Sequence, residues 1–377
     1  MTRARPDRVL IYAHHAPPHP SACATRVSSL ARYLRARGVE VSFLTSKPGP
    51  DRHEGFLIKR CAGRFGLIKA LLAHKRCPIF VTSPPATPTA EVAWIGRVLG
   101  YHVVADIRDP FVSEALGNGD IAPGIQTRIK LWLERSLFSA AHQVAYVSDA
   151  LRVQMDDSFG APNIPQIIAP NGIDRDVFYL AENTRAATRK ELGLGPGAVF
   201  VYAGILGGKS LGHALAALAP ALRKGAQLLM IAVEDDFSRP IMMDLMTQAK
   251  DLGVSDQILW RNNLPPDEVA RHLNACDIGL NPLPFHRSYC LPVKTFEYLA
   301  CGVHPMNIVG ENSAVLALFE GDELASSCLT WAECSTQALA LADDVRTVRQ
   351  RAEKRAAFAK RFDRNLANEA LSEALLQ

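Results

Sequence analysis

A chain of 377 residues is long enough for two domains, and its 48 % apolar residues can fill two cores. The net charge of +4 is small for this length and argues against a nucleic-acid partner. The eight cysteines form no C-x-x-C pair, so neither a zinc site nor a redox pair is signalled.

Strand and helix patterns alternate from the start. RVLIYA (8–13) reads as a short buried strand. In TRVSSLARYLRARG, Val27, Leu30, Ala31 and Leu34 recur at helical spacing and Gly38 closes the helix. VEVSFLTS (39–46), PIFVTSP (78–84), YHVVADI (101–107) and HQVAYVS (142–148) are further strands, with helical stretches between them. The pattern restarts after PNGIDRDVF (170–178) with AVFVYAG (198–204), AQLLMIAVED (226–235), ILWRNNL (258–264), ACDIGLNPL (275–283) and GVHPMNIV (302–309). Such traffic marks parallel sheets with helices on both faces. An α/β chain of two doubly wound, Rossmann-like domains facing across a cleft is therefore expected. The expected boundaries are 1–180 and 181–345, with 346–377 as one long charged helical tail.

No apolar run is long enough to span a bilayer. The basic start MTRARPDR precedes an apolar stretch too short for a secretory leader, so a reducing cytoplasm is expected. Residues 52–76 (RHEGFLIKRCAGRFGLIKALLAHKR) and 346–361 are locally basic. Each is either a solvated helix face or a surface drawn to anionic lipid.

In parallel sheets, ligands bind where strand C-termini meet helix N-termini. In the first such turn, HHAPPHPSACATR (14–26), the small residues from Ser21 to Ala24 leave backbone N–H groups open to an anion, or Ser21 simply caps the helix. His14 and His15 are acid–base candidates there. In ADIRDPF (105–111), Asp106, Arg108 and Asp109 follow the strand and either face the cleft or pair internally. YAGILGGKSLG (202–212) nearly matches the phosphate loop G-x-x-x-x-G-K-[ST], with Ala203 at the first glycine and Lys209 as its lysine. Glu234 and Asp235 would then be metal-holding acids of an NTP-hydrolysing enzyme. In LPVKTFEYLACG (291–302), proline suits the first helical turn and Gly302 the C-terminal cap. Lys294 and Glu297 share one face of that turn. They form either a surface ion pair worth under about 1 kcal/mol or the two ends of a nucleoside diphosphate site, carboxylate on ribose and lysine on phosphate.

These segments together resemble the retaining nucleotide-sugar glycosyltransferases of family 4, with the GT-B fold. The resemblance rests on the order and spacing of APPHPSACATRVSSLARYLRARGVEVSFLTS, ADIRDPF, VAYVSDALR, IIAPNGIDRDVF, VFVYAGILGGKSL and ACDIGLNPLPFHRSYCLPVKTFEYLACG. It is nearest to the members that build bacterial surface polysaccharides. It implies that Glu297 binds the donor ribose as the second glutamate of E-x7-E, and that Lys209 contacts the diphosphate. Lys294, Gly204 and the loop Tyr289, Cys290, Leu291 and Val293 complete the donor side. Ser21 and Ala22 fall where relatives carry Gly-Gly beside the donor phosphate. Arg108 and Asp109 fall where they carry His-Asp near the transferred sugar, and with Lys209 they form the implied catalytic set. Tyr289 replaces the first glutamate and Ile205 an arginine, which puts donor geometry in question.

The implied reaction is retaining, metal-independent hexosyl transfer from a nucleotide-sugar donor. The implied acceptor is a sugar, a lipid-linked or a small molecule, and no cofactor is required. The alternatives are a binding subunit that has lost catalysis and a P-loop NTPase. The expected location is the cytoplasm, with peripheral contact to an anionic inner membrane face.

Overall fold

The alternation of strands and helices resolves into two parallel sheets. The computed structural model describes residues 6–19, 21–117, 121–206, 210–285 and 288–377. It divides into one unit of Met1–Asn171 with Arg364–Gln377 and another of Gly172–Asp363.

The first unit runs β1 (Arg8–Tyr12), α1 (Ala22–Arg35), β2 (Glu40–Thr45), β3 (Arg52–His53), β4 (Phe56–Arg60), α2 (Gly63–Ala73) and β5 (Ile79–Ser83). It continues through α3 (Ala86–Val98), β6 (Val103–Ile107), α4 (Phe111–Gly117), α5 (Ile125–Ala140), β7 (Gln143–Tyr146), α6 (Asp149–Phe159) and β8 (Gln166–Ile168). Among the described residues the sheet order is β3-β4-β2-β1-β5-β6-β7-β8, parallel apart from the β3–β4 pair. The strand order reverses direction between β1 and β5, which is where a doubly wound sheet opens a crevice at its strand C-termini. Val27, Leu30, Ala31 and Leu34 of α1 are all buried, as their spacing requires.

The second unit runs α7 (Glu182–Leu192), β9 (Val199–Ile205), α8 (Ser210–Arg223), β10 (Gln227–Val233), α9 (Ser238–Asp251), β11 (Ile258–Asn262), α10 (Pro266–Asn274) and β12 (Ile278–Pro282). Then follow α11 (Val293–Ala300), β13 (His304–Ile308), α12 (Ala314–Leu318), β14 (Ser326–Cys328), α13 (Trp331–Asp343), α14 (Val345–Gln350) and α15 (Ala352–Ala359). Its order is β11-β10-β9-β12-β13-β14, all parallel, with the reversal between β9 and β12.

The tail is not one helix. After α15 a 3-10 turn ends at Phe362, whose carbonyl accepts from the Ile173 amide at 2.8 Å, and Asp363 turns extended. Only α16 (Arg364–Leu376) joins the first unit, with Leu371, Ala374 and Leu375 in the same core as Val27 and Leu30. The units therefore divide at 171/172 and 363/364, not at 180/181 and 345/346. A charged helical period cannot show such a break, because one residue leaving helical dihedrals changes neither composition nor spacing.

Candidate functional site

In the second unit, the reversal between β9 and β12 brings Gly204 and the start of α11 to the same end of the sheet. Helix α11 is held there by its own buried side chains. The Tyr298 hydroxyl accepts from the Ala203 amide at 3.0 Å and donates to the Leu280 carbonyl at 3.2 Å, tying α11 to β9 and β12. The Tyr298 ring crosses β12 where Gly279 leaves room, since a Cβ at Gly279 would lie 2.3 Å from the ring. Asn281 of β12 donates to the Thr295 hydroxyl at 2.9 Å and to Asn307 at 3.0 Å, fixing the first turn of α11. These contacts stand on buried residues and leave Lys294 and Glu297 half-buried.

Lys294 reaches across the end of β9. Its ammonium lies 3.8 Å from the Tyr202 ring centroid, a cation–π contact. Gly204, at φ +140, presents no Cβ, and one built there would stand 3.2 Å from Lys294 Nζ. The Tyr202 hydroxyl donates to the Ile205 carbonyl at 2.7 Å, which holds the strand end in that conformation. A positive charge is thus seated at the strand end, next to a glycine and one helical turn from a carboxylate. Such a set can bind a diphosphate and a pair of vicinal hydroxyls. Val293 opens α11, Leu291 and Cys290 are half-buried, and Tyr289 is only 3 % exposed, so its ring is packed into the unit. Lys209 lies outside the described residues.

The acids proposed for a metal in a phosphate-loop enzyme are engaged locally. Glu234 accepts from Arg239 at 3.2 Å and from Asn262 at 2.9 Å. Asp235 accepts from the Ser238 and Phe237 amides at 2.7 and 3.0 Å, and the Ser238 bonds foremost pull its carboxyl below the usual range. Among the described residues no group of three or more His, Cys, Asp or Glu is placed to hold a metal ion.

In the first unit, Ser21 is the N-cap of α1, its hydroxyl accepting from the Ala24 amide at 3.2 Å, and Ala22 is the first helical residue. Arg108 follows β6 and donates from Nε to the Thr82 hydroxyl at 3.0 Å. Asp109 is the next residue, with interactions of its own. Asp106 does not join this charged group as a cleft-facing acid. It is fully buried and accepts from Arg26 at 3.0 and 2.8 Å and from Thr82 at 2.8 Å. Arg26 also donates to the carbonyls of Ala169 and Pro170. The pair is a buried anchor for the end of the unit. The signal was faint: one aspartate inside an apolar strand, and one arginine three residues after the buried Cys23.

His14, His15 and His19 lie in series, His14 edge-on to His15 and His15 tilted against His19, with ring centroids 4.8 and 4.3 Å apart. Burial first, then His19, His14, Lys47 and Arg108, push His15 down to about 4. His14 is lowered mainly by burial. At neutral pH the His14 and His15 imidazoles are uncharged. At that basicity His15 is a poor general base, so the pair can hydrogen-bond to hydroxyls better than it can take protons.

Comparison with known proteins relates both halves of the chain to glycosyltransferases. Residues 23–177 match the model described as Glycosyltransferase Family 4, and residues 243–374 match one described as Glycosyl transferase-like. Over 173 residues the chain is 27 % identical to a GDP-mannose-dependent alpha-(1-6)-phosphatidylinositol monomannoside mannosyltransferase of Mycolicibacterium smegmatis. That match spans 45 % of this chain and 44 % of the relative. The fold is similar to that of HepE from Anabaena in complex with UDP (TM-score 0.80, 15 % identity, 98 % of this chain and 99 % of that one). It is similar also to sucrose-phosphate synthase from Thermosynechococcus elongatus (TM-score 0.74, 14 % identity, 97 % and 98 %). With two parallel doubly wound sheets the chain has the GT-B fold, and both of its halves match glycosyltransferase models, the first of them that of family 4.

Proposed function

We propose that this chain is a retaining, metal-independent hexosyltransferase. It would move a sugar from a nucleoside-diphosphate sugar to an acceptor hydroxyl in bacterial polysaccharide, glycolipid or natural-product biosynthesis. The observation that carries the reading is the first turn of α11, where Lys294 is seated over Tyr202 beside Gly204 with Glu297 one turn on. In this reading Glu297 binds the ribose hydroxyls, and Lys294 and Lys209 meet the diphosphate. Their charges stabilise the negative charge that builds on the leaving group, the task a divalent ion would otherwise perform. The acceptor hydroxyl attacks the anomeric carbon on the face from which the diphosphate leaves. The bond from that carbon to the phosphate oxygen breaks, and the hydroxyl proton passes to the departing phosphate. The roles implied for Ser21, Ala22, Arg108 and Asp109 belong to the same proposal. So does the expected inner-membrane contact of residues 52–76, which would suit a lipid-linked acceptor.

The relatives support a nucleotide-sugar donor: one is GDP-mannose-dependent, and HepE was solved with UDP and with UDP-glucose. A thermal-shift screen against UDP, GDP, TDP, ADP and their sugars tests this. One base should raise the midpoint saturably, and Glu297→Ala should weaken that nucleotide at least about tenfold, or roughly 1.4 kcal/mol. A wild-type midpoint unmoved by every nucleotide would overturn the reading.

A second reading is a GT-B binding subunit without catalysis. Tyr289 is buried and Ile205 is exposed where relatives carry charges, which favours it. Turnover of any donor by the purified chain removes it. A P-loop NTPase is the weaker alternative, since Glu234 and Asp235 are held by Arg239, Asn262 and backbone amides.

A further inference from the structure

Helix α5 buries little of its first half. Of residues 125–133 only Thr127 is buried. Ile125, Ile129 and Trp132 are 78, 53 and 62 % exposed, and at i, i+4 and i+7 they form one apolar stripe. Arg128, Lys130 and Arg135 on the same helix are exposed. Its one acid does not offset them at the surface. Glu134 is buried, and its carboxylate accepts from the Val112 and Ser113 amides at 3.1 Å each. Helix α3 packs against both α5 and α2, so these helices share one layer. On α2, Phe65 is 89 % and Leu72 64 % exposed, with Lys69 exposed between them.

Large apolar side chains left in water beside exposed cations need a covering surface that is apolar within and anionic outside. A second copy of the chain fits poorly. A two-fold contact through α5 would bring arginines and a lysine against their own kind. A bilayer with anionic headgroups meets both needs. Trp is suited to the headgroup boundary, and arginine stems can lie along the apolar layer with their heads at the phosphates. Among the described residues no helix is long and apolar enough to cross a membrane, so the contact would be interfacial.

We propose that α5 is a bilayer-docking helix: Ile125, Ile129 and Trp132 insert at the acyl boundary of an anionic membrane, and Arg128, Lys130 and Arg135 hold its phosphates. The surface is distinct from residues 52–76, although α2 would lie beside it. It does not depend on the transfer chemistry, and donor binding is read separately.

The test is flotation of the full chain with phosphatidylglycerol–phosphatidylcholine vesicles and with phosphatidylcholine alone. Binding is expected to the anionic vesicles only, with a blue shift of tryptophan emission that Trp132→Phe removes. Ile129→Ser with Trp132→Ser should weaken partition by about tenfold or more, and Arg128→Glu with Arg135→Glu similarly. All four side chains are exposed, so both variants should keep the wild-type melting midpoint and nucleotide response. Three outcomes overturn the proposal. These are no vesicle binding, equal binding to both compositions, or wild-type binding by both variants. Concentration-dependent dimers that the serine variant abolishes, without vesicle binding, would assign the face to a second copy instead.

Discussion

Lys294 is the residue on which the donor reading turns, and its setting makes the reading testable. An ammonium 3.8 Å from the Tyr202 ring is already partly desolvated and held, so it loses little freedom when a diphosphate arrives. Lys294→Met should keep the fold and weaken nucleotide diphosphate by about tenfold while sparing the free nucleoside, read by calorimetry. Gly204→Ala acts on the same point from below. The new methyl meets Lys294 Nζ at 3.2 Å, and φ +140 is strained for any L side chain. Loss of nucleotide affinity together with about 1 kcal/mol or more of stability is expected, measured by denaturant melts. In the first unit the buried Arg26–Asp106 pair is structural. Asp106→Asn leaves the guanidinium without its carboxylate among the described residues and should cost roughly 3–5 kcal/mol. A loss below about 1 kcal/mol would show that the pair contributes little.

At the scale of elements, α11 carries the candidate site because its own buried residues fix it. Tyr298 is fully buried and its hydroxyl bonds to β9 and β12. Tyr298→Phe removes the acceptor of the Ala203 amide and should cost about 1–3 kcal/mol. The limits of α11 were legible in the sequence, since proline at its start and glycine after its end are local signals. So were the strands at 8–13, 39–46 and 198–204, to within a residue or two. The short strands β3, β4, β8 and β14 were not. β3, β8 and β14 are two or three residues long, too short for a pattern of their own, and β4 lies in the basic stretch 52–76, where Lys59 and Arg60 cut its apolar run short. The tail break at Asp363 escaped because one residue leaving helical dihedrals alters no spacing, and the bareness of the α5 stripe because helical spacing does not say what covers a face.

At the scale of the molecule, the buried His304 and the half-buried His15 set a direction for pH. His304 is pushed down to about 3, chiefly by burial and then by Arg355 and Arg351. It sits between Arg355 at 3.4 Å and the Ser326 hydroxyl at 2.8 Å, with Arg355 fully buried beside it. The unfolded chain takes up its proton near 6.5 and the folded one only near 3. The stability it contributes is therefore complete above 6.5 and is lost as pH falls through that window, by up to about 1.4 kcal/mol per pH unit. His15 adds a weaker trend of the same sign between 6.5 and about 4. Melting midpoints between pH 7 and pH 4 should fall, and His304→Gln should flatten the decline. An unchanged slope in that variant would place the acid sensitivity elsewhere.

Consecutive residues already encode the doubly wound character of both halves, the helix that carries Lys294 and Glu297, and the resemblance to family 4 glycosyltransferases. Strand alternation, helical spacing and caps are properties of consecutive residues, so they can be read without a fold. The packed fold alone assigns Asp106 to Arg26, eighty residues away, rather than to Arg108. It also decided that Lys294 lies over Tyr202, that α16 alone leaves the second unit's tail, and that the apolar stripe of α5 is left uncovered. Each of these depends on which distant backbone stands opposite a side chain. Burial, pairing and exposure are then settled by the packed whole.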